Sequence, residues 1–334
     1  MTDTSLLLHY LKPLQELLDQ DGVTEVVVNR PGEVGVETRN GWHWVEVPEL
    51  TMSHLMTLAT AVAAFTKQDI NATHPICSTT LPKGERCQVV IPPAVPENHV
   101  SFTIRKPSSA SFTLADFERS GLFEKVKVSS LELTPDEEEL LRLRDAGQWV
   151  AFLELAVKSR RNIIISGATG SGKTTLSKAL INMIPDHERL LTIEDARELT
   201  MPHRNVVNLL YAKDGQGQAK TGAKELLESG LRMRPDRILL QELRDGTAFF
   251  YMRNVNSGHP GSITTVHADS AALAFEQLTL LVKESSGGAD LAREDIRGLL
   301  YTLVDVVVQM KKVDGQFRMT EVDYDPLRKR QRPA

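Results

Sequence analysis

The sequence predicts an α/β protein with two domains: a C-terminal domain built on a mostly parallel sheet and a smaller N-terminal α+β domain. From residue 149 onward, nearly continuous apolar segments alternate with glycine turns and helical segments; the apolar segments are "NIIIS", "RLLTIE", "RILLQE", "SITTVH" and "VDVVVQM". Such runs are typical of parallel strands buried on both faces. Before residue 107 the apolar runs are separated by short turns, which is typical of antiparallel strands. A length of 334 residues is sufficient for two domains.

The N-terminal elements can be assigned in order. Leucines from Leu6 to Leu18 recur at helical spacing and predict an amphipathic first helix. Strands are predicted in "TEVVVNRPGEVGVET" and "GWHWVEVPE", a helix in "HLMTLATAVAAFTKQ", and two more strands in "GERCQVVIPP" and "HVSFTIRKP". Together they define a predicted domain of residues 1–106. The first helix could lie on a membrane surface or a partner, but packing on its own domain is favoured.

A serine-rich segment without sustained periodicity, residues 107–135, is predicted to be a linker. Thr134 precedes several acidic residues and is predicted to cap the first helix of the C-terminal domain, residues 136–334. The basic end of the chain, "RKRQRPA", is expected to be solvated.

Composition excludes several classes of protein. The net charge of −5 argues against a general nucleic-acid coating protein, and no sequence-specific nucleic-acid binding is predicted. The two cysteines, Cys77 and Cys87, lack metal-ligand spacing and are expected to be thiols of a reducing cytosol. The first residues lack the pattern of a signal peptide, and no apolar run approaches the ~18 residues that a membrane-spanning helix needs. We therefore expect a soluble cytoplasmic protein that could still dock at a membrane.

One motif predicts nucleotide binding. "SGATGSGKTTLSKAL" follows the strand "NIIIS", opens a helix, and fits G-x-x-x-x-G-K-[ST]. Glycines allow backbone N–H groups to surround phosphate oxygens, the lysine adds a charge, and the threonine hydroxyl can bind Mg²⁺. A chance glycine-rich turn is the weaker explanation. The predicted phosphate-binding residues are Gly167, Ala168, Thr169, Gly170, Ser171, Gly172, Lys173, Thr174 and Thr175.

Acidic residues follow two further predicted strands. Glu242 ends the strand in "RPDRILLQELRDG", and Glu194, Asp195 and Glu198 follow "LLTI". The carboxyl ends of parallel strands lie at the edge of the sheet where ligands bind, so we expect roles around Mg²⁺ and the attacking water. The alternatives are an ordinary strand-end acid for Glu242 and a solvated acidic turn for the other three.

Two histidines, His259 and His267, bracket the segment "GHPGSITTVHA". A zinc site would need three or four ligands, and only Asp269 lies nearby in sequence, so metal binding is the weaker interpretation. A histidine beside the γ-phosphate can respond to its presence. For either residue, the alternative interpretation as a buried, hydrogen-bonded histidine of the core remains open.

The four motifs together resemble a known family. Their order is "GATGSGKTT", "LTIEDARELT", "LRMRPDRILLQELRDG" and "SGHPGSITTVHADS", which resembles the Walker A, Asp, Walker B and His boxes of the traffic ATPases of bacterial secretion. The branch serving type IV secretion and conjugation is the most similar. The resemblance implies a RecA-like P-loop domain and a homohexameric ring. It also implies an ATP- and Mg²⁺-dependent motor for substrate transfer and pilus biogenesis, peripheral to the inner membrane and working with the secretion components there.

The resemblance also implies roles for individual residues. The implied catalytic residues are Lys173, Glu194, Glu242, His267, Arg86 and Arg105, and the implied metal ligands are Thr174, Glu194 and Glu242. His259 and His267 would couple the γ-phosphate to domain position, and the two arginines of the N-terminal domain would reach the nucleotide phosphates. Gln241 stands where relatives often have a small residue, which puts water placement in question.

Two other functions remain open from the sequence. One is a nucleotide-dependent DNA motor of the helicase type, and the other is a scaffold that binds ATP without hydrolysing it. For the secretion motor, we expect ATP between the two domains and a hinge motion about residues 107–135.

Overall fold

The computed structural model describes residues 4–107, 112–126, 132–212, 217–256 and 258–330. Within these ranges the chain is a mixed α/β structure, as predicted. Among the described helices, none is both long enough and apolar enough to cross a membrane.

The N-terminal half is a six-stranded antiparallel sheet with two helices. Its elements are α1 (Thr4–Leu18), β1 (Glu25–Val28), β2 (Glu33–Thr38), β3 (Gly41–Glu46), α2 (Met52–Phe65), β4 (Ile76–Thr80), β5 (Arg86–Val90) and β6 (Ser101–Arg105). The strand order is β3-β2-β1-β6-β5-β4. The structure confirms both predicted helices. The sequence does not predict β4, because "ICSTT" lacks an apolar run.

One core holds this half together. The leucines of α1 that face the sheet and α2 are buried, whereas Leu6 and Leu8 on the opposite face are half exposed. The first helix therefore packs on its own domain, which is the arrangement that the sequence analysis favoured. Cys77 and Cys87 are buried free thiols of the same core, and burial raises the pKa of both.

The predicted linker contains a short helix, α3 (Leu114–Arg119), none of whose residues is buried. Positions 108–111 and 127–131 of this linker lie outside the described residues. Thr134 caps the next helix, α4 (Pro135–Asp145), and exchanges hydrogen bonds with Glu137, which confirms the predicted cap. The domain limits at 106 and 136 stay predictions.

The C-terminal half is built on one seven-stranded sheet. Its elements are α5 (Trp149–Lys158), β7 (Ile163–Gly167), α6 (Lys173–Ile181), β8 (Leu190–Glu194), β9 (Val206–Leu210), α7 (Ala223–Gly230), β10 (Arg237–Leu240), α8 (Thr247–Asn256), β11 (Ile263–Val266), α9 (Ala271–Glu284), α10 (Arg293–Leu303), β12 (Val306–Val313) and β13 (Gln316–Tyr324). The ladders β10-β8-β9 and β11-β7-β12-β13 meet through a parallel bridge between Glu242 and Thr265. The resulting order is β9-β8-β10-β11-β7-β12-β13, and the β-ladder pairs are parallel except for the β12–β13 hairpin.

The five predicted C-terminal strands are present. β9 and β13 are additional: "VVNLL" is short, and "QFRMTEVDY" is largely polar because it lies at an edge of the sheet. Residues of the central strands alternate between two cores, with Ile164 and Val307 on one face and Ile163 and Ile165 on the other. Burial on both faces explains why these strands are continuously apolar.

Buried contacts join the two halves, and one group of them lies at the amino-terminal ends of the parallel strands. Arg189, fully buried just before β8, donates from Nε to the Met233 carbonyl at 2.8 Å. It also donates to Asn29 Oδ1 at 2.9 Å and to Thr103 Oγ1 at 3.2 Å, both in the N-terminal half. Two ion pairs cross the same boundary: Arg204–Glu33 and Arg234–Glu37.

The expectation of a solvated C-terminal end is wrong for residues 328–330. Lys329 pairs with Asp305 at 2.6 Å and Arg330 pairs with Glu137 at 2.6 Å. Arg328 pairs with Asp323 and lies over the Tyr301 ring. These basic residues hold the end of the chain against the C-terminal domain, and a charge pattern alone does not reveal such partners.

Candidate nucleotide-binding site

The predicted phosphate loop lies at the carboxyl end of β7 and leads directly into α6. Gly170 and Gly172 have φ values of 73° and 89°, in the left-handed region that favours glycine. A Cβ built on Gly172 would lie 2.9 Å from the Phe317 ring, so a side chain at this position would require the ring to move. Such glycine conformations allow a loop to turn its backbone N–H groups towards an anion at the amino end of a helix.

Lys173 is held inside this loop. Its Nζ donates to the carbonyls of Gly167 at 2.7 Å and Ala168 at 2.9 Å, and it lies 3.4 Å from His267 Nδ1. Lysine only donates, so Nδ1 accepts and the proton of the neutral imidazole lies on Nε2. Burial lowers the pKa of Lys173, an effect that Glu242 opposes.

The histidine connects the lysine to two acids. His267 Nε2 lies 2.6 Å from Glu242 Oε1. Arg244 donates from Nε to Glu242 Oε2 at 2.7 Å and from Nη1 to Asp195 Oδ2 at 3.0 Å. The hydrogen bond to Glu242 raises the pKa of Arg244. A continuous chain of contacts between polar and charged side chains thus runs from the phosphate loop across β11 and β10 to the end of β8; we call it the edge network.

The edge network brings together residues from all four motifs. Lys173, Glu242 and His267 were predicted site residues, and the structure places them in one group. Sequence reasoning missed Arg244; it expected Asp195 near Mg²⁺ and water but did not include it among the implied catalytic residues or metal ligands. The signal for Arg244 was its position two residues after the strand-end glutamate in "QELRDG".

Glu194 is placed differently from its neighbour. It is fully buried, and its carboxylate accepts hydrogen bonds from Thr192 Oγ1 at 2.7 Å and from the backbone N–H groups of Glu198 and Leu199 at 2.8 Å each. These bonds fix the turn after β8. The predicted metal and catalytic role of Glu194 stays a prediction, and Asp195 is the acid of this pair that joins the edge network.

The two histidines do not meet. His267 follows the carboxyl end of β11, whereas His259 precedes its amino end, so the strand separates them. Burial, together with the nearby Arg160, lowers the pKa of His259. The predicted coupling of these two histidines to the γ-phosphate stays a prediction.

Arg86 and Arg105 also lie apart from the phosphate loop of their own chain. They are partners in register on β5 and β6 and line a cavity of about 1360 Å³ together with Glu25, Glu37 and Arg234. None of residues 167–175 lines this cavity. The predicted contact of both arginines with the nucleotide phosphates stays a prediction.

The residues present fit a magnesium ion bound with phosphates. Among the described residues no group of three or more His, Cys, Asp or Glu side chains could hold a metal alone. Glu242 Oε1 is buried 2.6 Å from His267 Nε2, and the Thr174 side chain is exposed at the start of α6. Mg²⁺ commonly takes one or two carboxylates, and substrate phosphates and water complete its coordination.

Residues 8–314 match the family described as "Type II/IV secretion system protein". The chain belongs to this family. It is 54% identical over 337 residues to the type IV secretion system protein VirB11 of Bartonella henselae, covering 98% of this chain and 95% of that protein. The VirB11 protein of Brucella suis is 48% identical over 327 residues, covering 96% and 91%.

A solved structure agrees with the sequence relatives. The crystal structure of the VirB11 ATPase from the Brucella suis type IV secretion system, in complex with sulphate, matches with a TM-score of 0.91 and 47% identity, covering 97% of this chain and 99% of that one. The resemblance predicted from the four motifs is confirmed. The chain is a type IV secretion ATPase with the expected α/β fold, and neither the DNA motor nor the scaffold is favoured.

Proposed function

We propose that this ATPase works as a homohexameric ring, peripheral to the inner membrane, whose hydrolysis cycle drives substrate transfer and pilus biogenesis with the secretion components there. The observation that carries the proposal is the edge network, which links the phosphate-loop lysine to the acids that follow β8 and β10 through His267. A lysine, an imidazole and two carboxylates in contact give one group of residues that can respond to a γ-phosphate and to its loss.

The proposed roles follow from the partners of each side chain. Lys173 exchanges its carbonyl partners for phosphate oxygens, since its ammonium is already desolvated and directed into the loop. That movement releases His267 Nδ1, so the imidazole senses whether phosphate is present. Glu242, with Oε2 held by Arg244 and Oε1 beside His267 Nε2, orients the attacking water and accepts its proton.

Thr174 and Glu242 would hold Mg²⁺, with Glu194 as a third predicted ligand. The ion would neutralise charge on the phosphate oxygens. The mechanism of the chain itself rests on the lysine, the histidine and the acids.

Arg86 and Arg105 would act on the nucleotide of a neighbouring copy. Both are exposed, and within their own chain they line a cavity separate from the phosphate loop. A guanidinium that arrives from another subunit can neutralise developing charge and make hydrolysis depend on assembly.

Two variants test the proposal. Lys173→Ala should weaken ADP binding by at least about tenfold, because the loss of one charge-assisted contact is worth about 1.5–3 kcal/mol. Glu242→Gln should retain binding and assembly while turnover falls by about 100-fold or more, the usual contribution of a general base. Glu228→Gln, an exposed change on α7, is the control. Secretion that persists in Glu242→Gln cells despite abolished turnover would contradict a motor.

Mixed assemblies test the arginines. Lys173→Ala and Arg105→Ala subunits should each be inactive alone, whereas a mixture should regain ATPase activity where an intact loop meets an intact arginine. Activity that never exceeds that of the separate variants, in mixed rings verified by light scattering, would contradict action between copies.

A further inference from the structure

The β12–β13 hairpin extends past the end of the sheet beside the phosphate loop. β12 pairs in parallel with β7, and the last matched pair is Met310 with Gly167, the first glycine of the loop. β12 then continues to Val313, and the chain returns as β13. The tip of the hairpin therefore lies beside the phosphate loop, beyond the carboxyl end of β7.

One aromatic side chain of this hairpin lies against the loop. A Cβ built on Gly172 would be 2.9–3.2 Å from three atoms of the Phe317 ring. The Phe317 side chain is nevertheless 51% exposed, and no ring contact links it to another aromatic in the described parts of the chain. An exposed phenylalanine beside an anion-binding loop has no evident role in stabilising the fold.

The edge network gives the direction in which a nucleotide would lie. Glu242 and His267 follow β10 and β11, on one side of β7, so a γ-phosphate that contacts them points to that side. The α-phosphate, ribose and base then leave the loop on the other side. That side is formed by β12 and β13, where neighbouring strands are spaced by about 4.8 Å, so β13 lies roughly 10 Å from β7. The ring of Phe317 stands at this end of the loop.

We propose that Phe317 is the stacking surface for the purine base of the nucleotide, a binding contact that rests on the proposed function of the phosphate loop. The ring offers a face and no hydrogen-bonding group, so it holds adenine and guanine alike. Such a contact fixes the base end of the nucleotide while Lys173 and the acids work on the phosphate end.

The test compares a ligand that has a base with one that has none. Binding of ADP and of inorganic tripolyphosphate to the full-length protein would be measured by calorimetry. Stacking of a base on an aromatic side chain is worth about 1–3 kcal/mol by alanine substitution, so Phe317→Ala should weaken ADP binding roughly 5- to 150-fold. Tripolyphosphate binding should change by less than about twofold. Phe317→Tyr should keep the parent affinity for both ligands.

Val313→Ala is the matched control, because Val313 lies on the same hairpin, is 42% exposed and is not among the atoms nearest to a Cβ built on Gly172. It should bind both ligands like the parent. Unchanged ADP affinity in Phe317→Ala would overturn the inference, and so would an equal loss for tripolyphosphate, which would show a distorted loop. Loss of assembly with unchanged ADP affinity would identify Phe317 as a subunit contact and would also overturn it.

The outcomes separate this inference from the function on which it rests. If Lys173→Ala weakens both ligands while Phe317→Ala weakens neither, only the stacking contact is wrong. If the parent protein binds neither ligand, the proposed nucleotide site fails and the stacking contact fails with it.

Discussion

Glu25 stands in a row of charged residues that crosses the N-terminal sheet. In register it pairs with Glu37 on β2 and with Arg105 on β6, and Arg105 pairs with Arg86 on β5. Glu37 is bound by Arg234 of the C-terminal half, whereas Glu25 is 4% exposed and has no ion pair among the residues that the structure describes. This carboxyl group is therefore buried without a direct partner.

Burial raises the pKa of Glu25 from 4.5 to about 7; Arg105, Arg234 and Arg189 oppose the effect, and Glu37 adds to it. The folded state therefore retains this proton at pH values where the unfolded chain has lost it. Stability contributed by Glu25 must fall as pH rises from about 4.5 to about 7 and stay low above that, by about 3 kcal/mol in total. A neutral side chain of the same shape avoids this penalty.

We predict that Glu25→Gln stabilises the protein at pH 8 by up to about 3 kcal/mol and has almost no effect at pH 4.5. Urea unfolding at both pH values, followed by the fluorescence of Trp42 and Trp44 on β3, measures the difference. Glu37→Gln is the control of opposite sign: it removes the partner of Arg234 and should destabilise at pH 8 by about 1–3 kcal/mol. A Glu25→Gln protein that is no more stable than the parent at pH 8 would refute the reasoning.

Three further predictions concern single contacts. Arg189→Met should lower the free energy of unfolding in urea by about 2–4 kcal/mol, because it leaves buried acceptors unpaired. Arg204→Met, at a half-exposed ion pair, should lower it by less than about 1 kcal/mol. The reverse order would contradict the buried junction. Arg244→Lys should lower kcat by about tenfold or more with little change in ADP affinity, since lysine lacks the fork that holds both acids; an unchanged kcat would exclude that role. Gly172→Ala should weaken ADP binding about tenfold, because Gly172 has a left-handed φ and lies against Phe317. Circular dichroism should show that the fold is retained. Parent-like binding would show that the loop tolerates a side chain.

Strong periodic patterns in the sequence predicted most of the fold. The apolar pattern of α1 and of the central C-terminal strands indicates directly which faces are buried, because burial on one face or on both produces a repeating pattern of apolar residues. β4, β9 and β13 lack that signal, since edge or partly exposed strands can be short and polar. Lys329 and Arg330 pair with acids far away in the chain. Such pairs depend on the tertiary structure, so the local sequence does not predict them.

The site was predictable where chain connectivity sets position. Lys173, Glu242 and His267 each follow a parallel strand, so the topology of the sheet brings them to one edge. The docking of the N-terminal half is different, because it depends on side-chain fit at Arg189 and Arg234. That docking places Arg86 and Arg105 away from their own loop. Glu194 and Asp195 are adjacent in sequence but differ in burial, which only packing decides.

The most direct measurement is a structure of the assembled protein with Mg²⁺ and a non-hydrolysable ATP analogue. The account predicts the γ-phosphate within hydrogen-bonding distance of Lys173 Nζ and beside His267, with the base on the Phe317 ring. A nucleotide whose phosphates lie in the cavity between Arg86 and Arg234 of one chain, with the edge network unchanged, would contradict it.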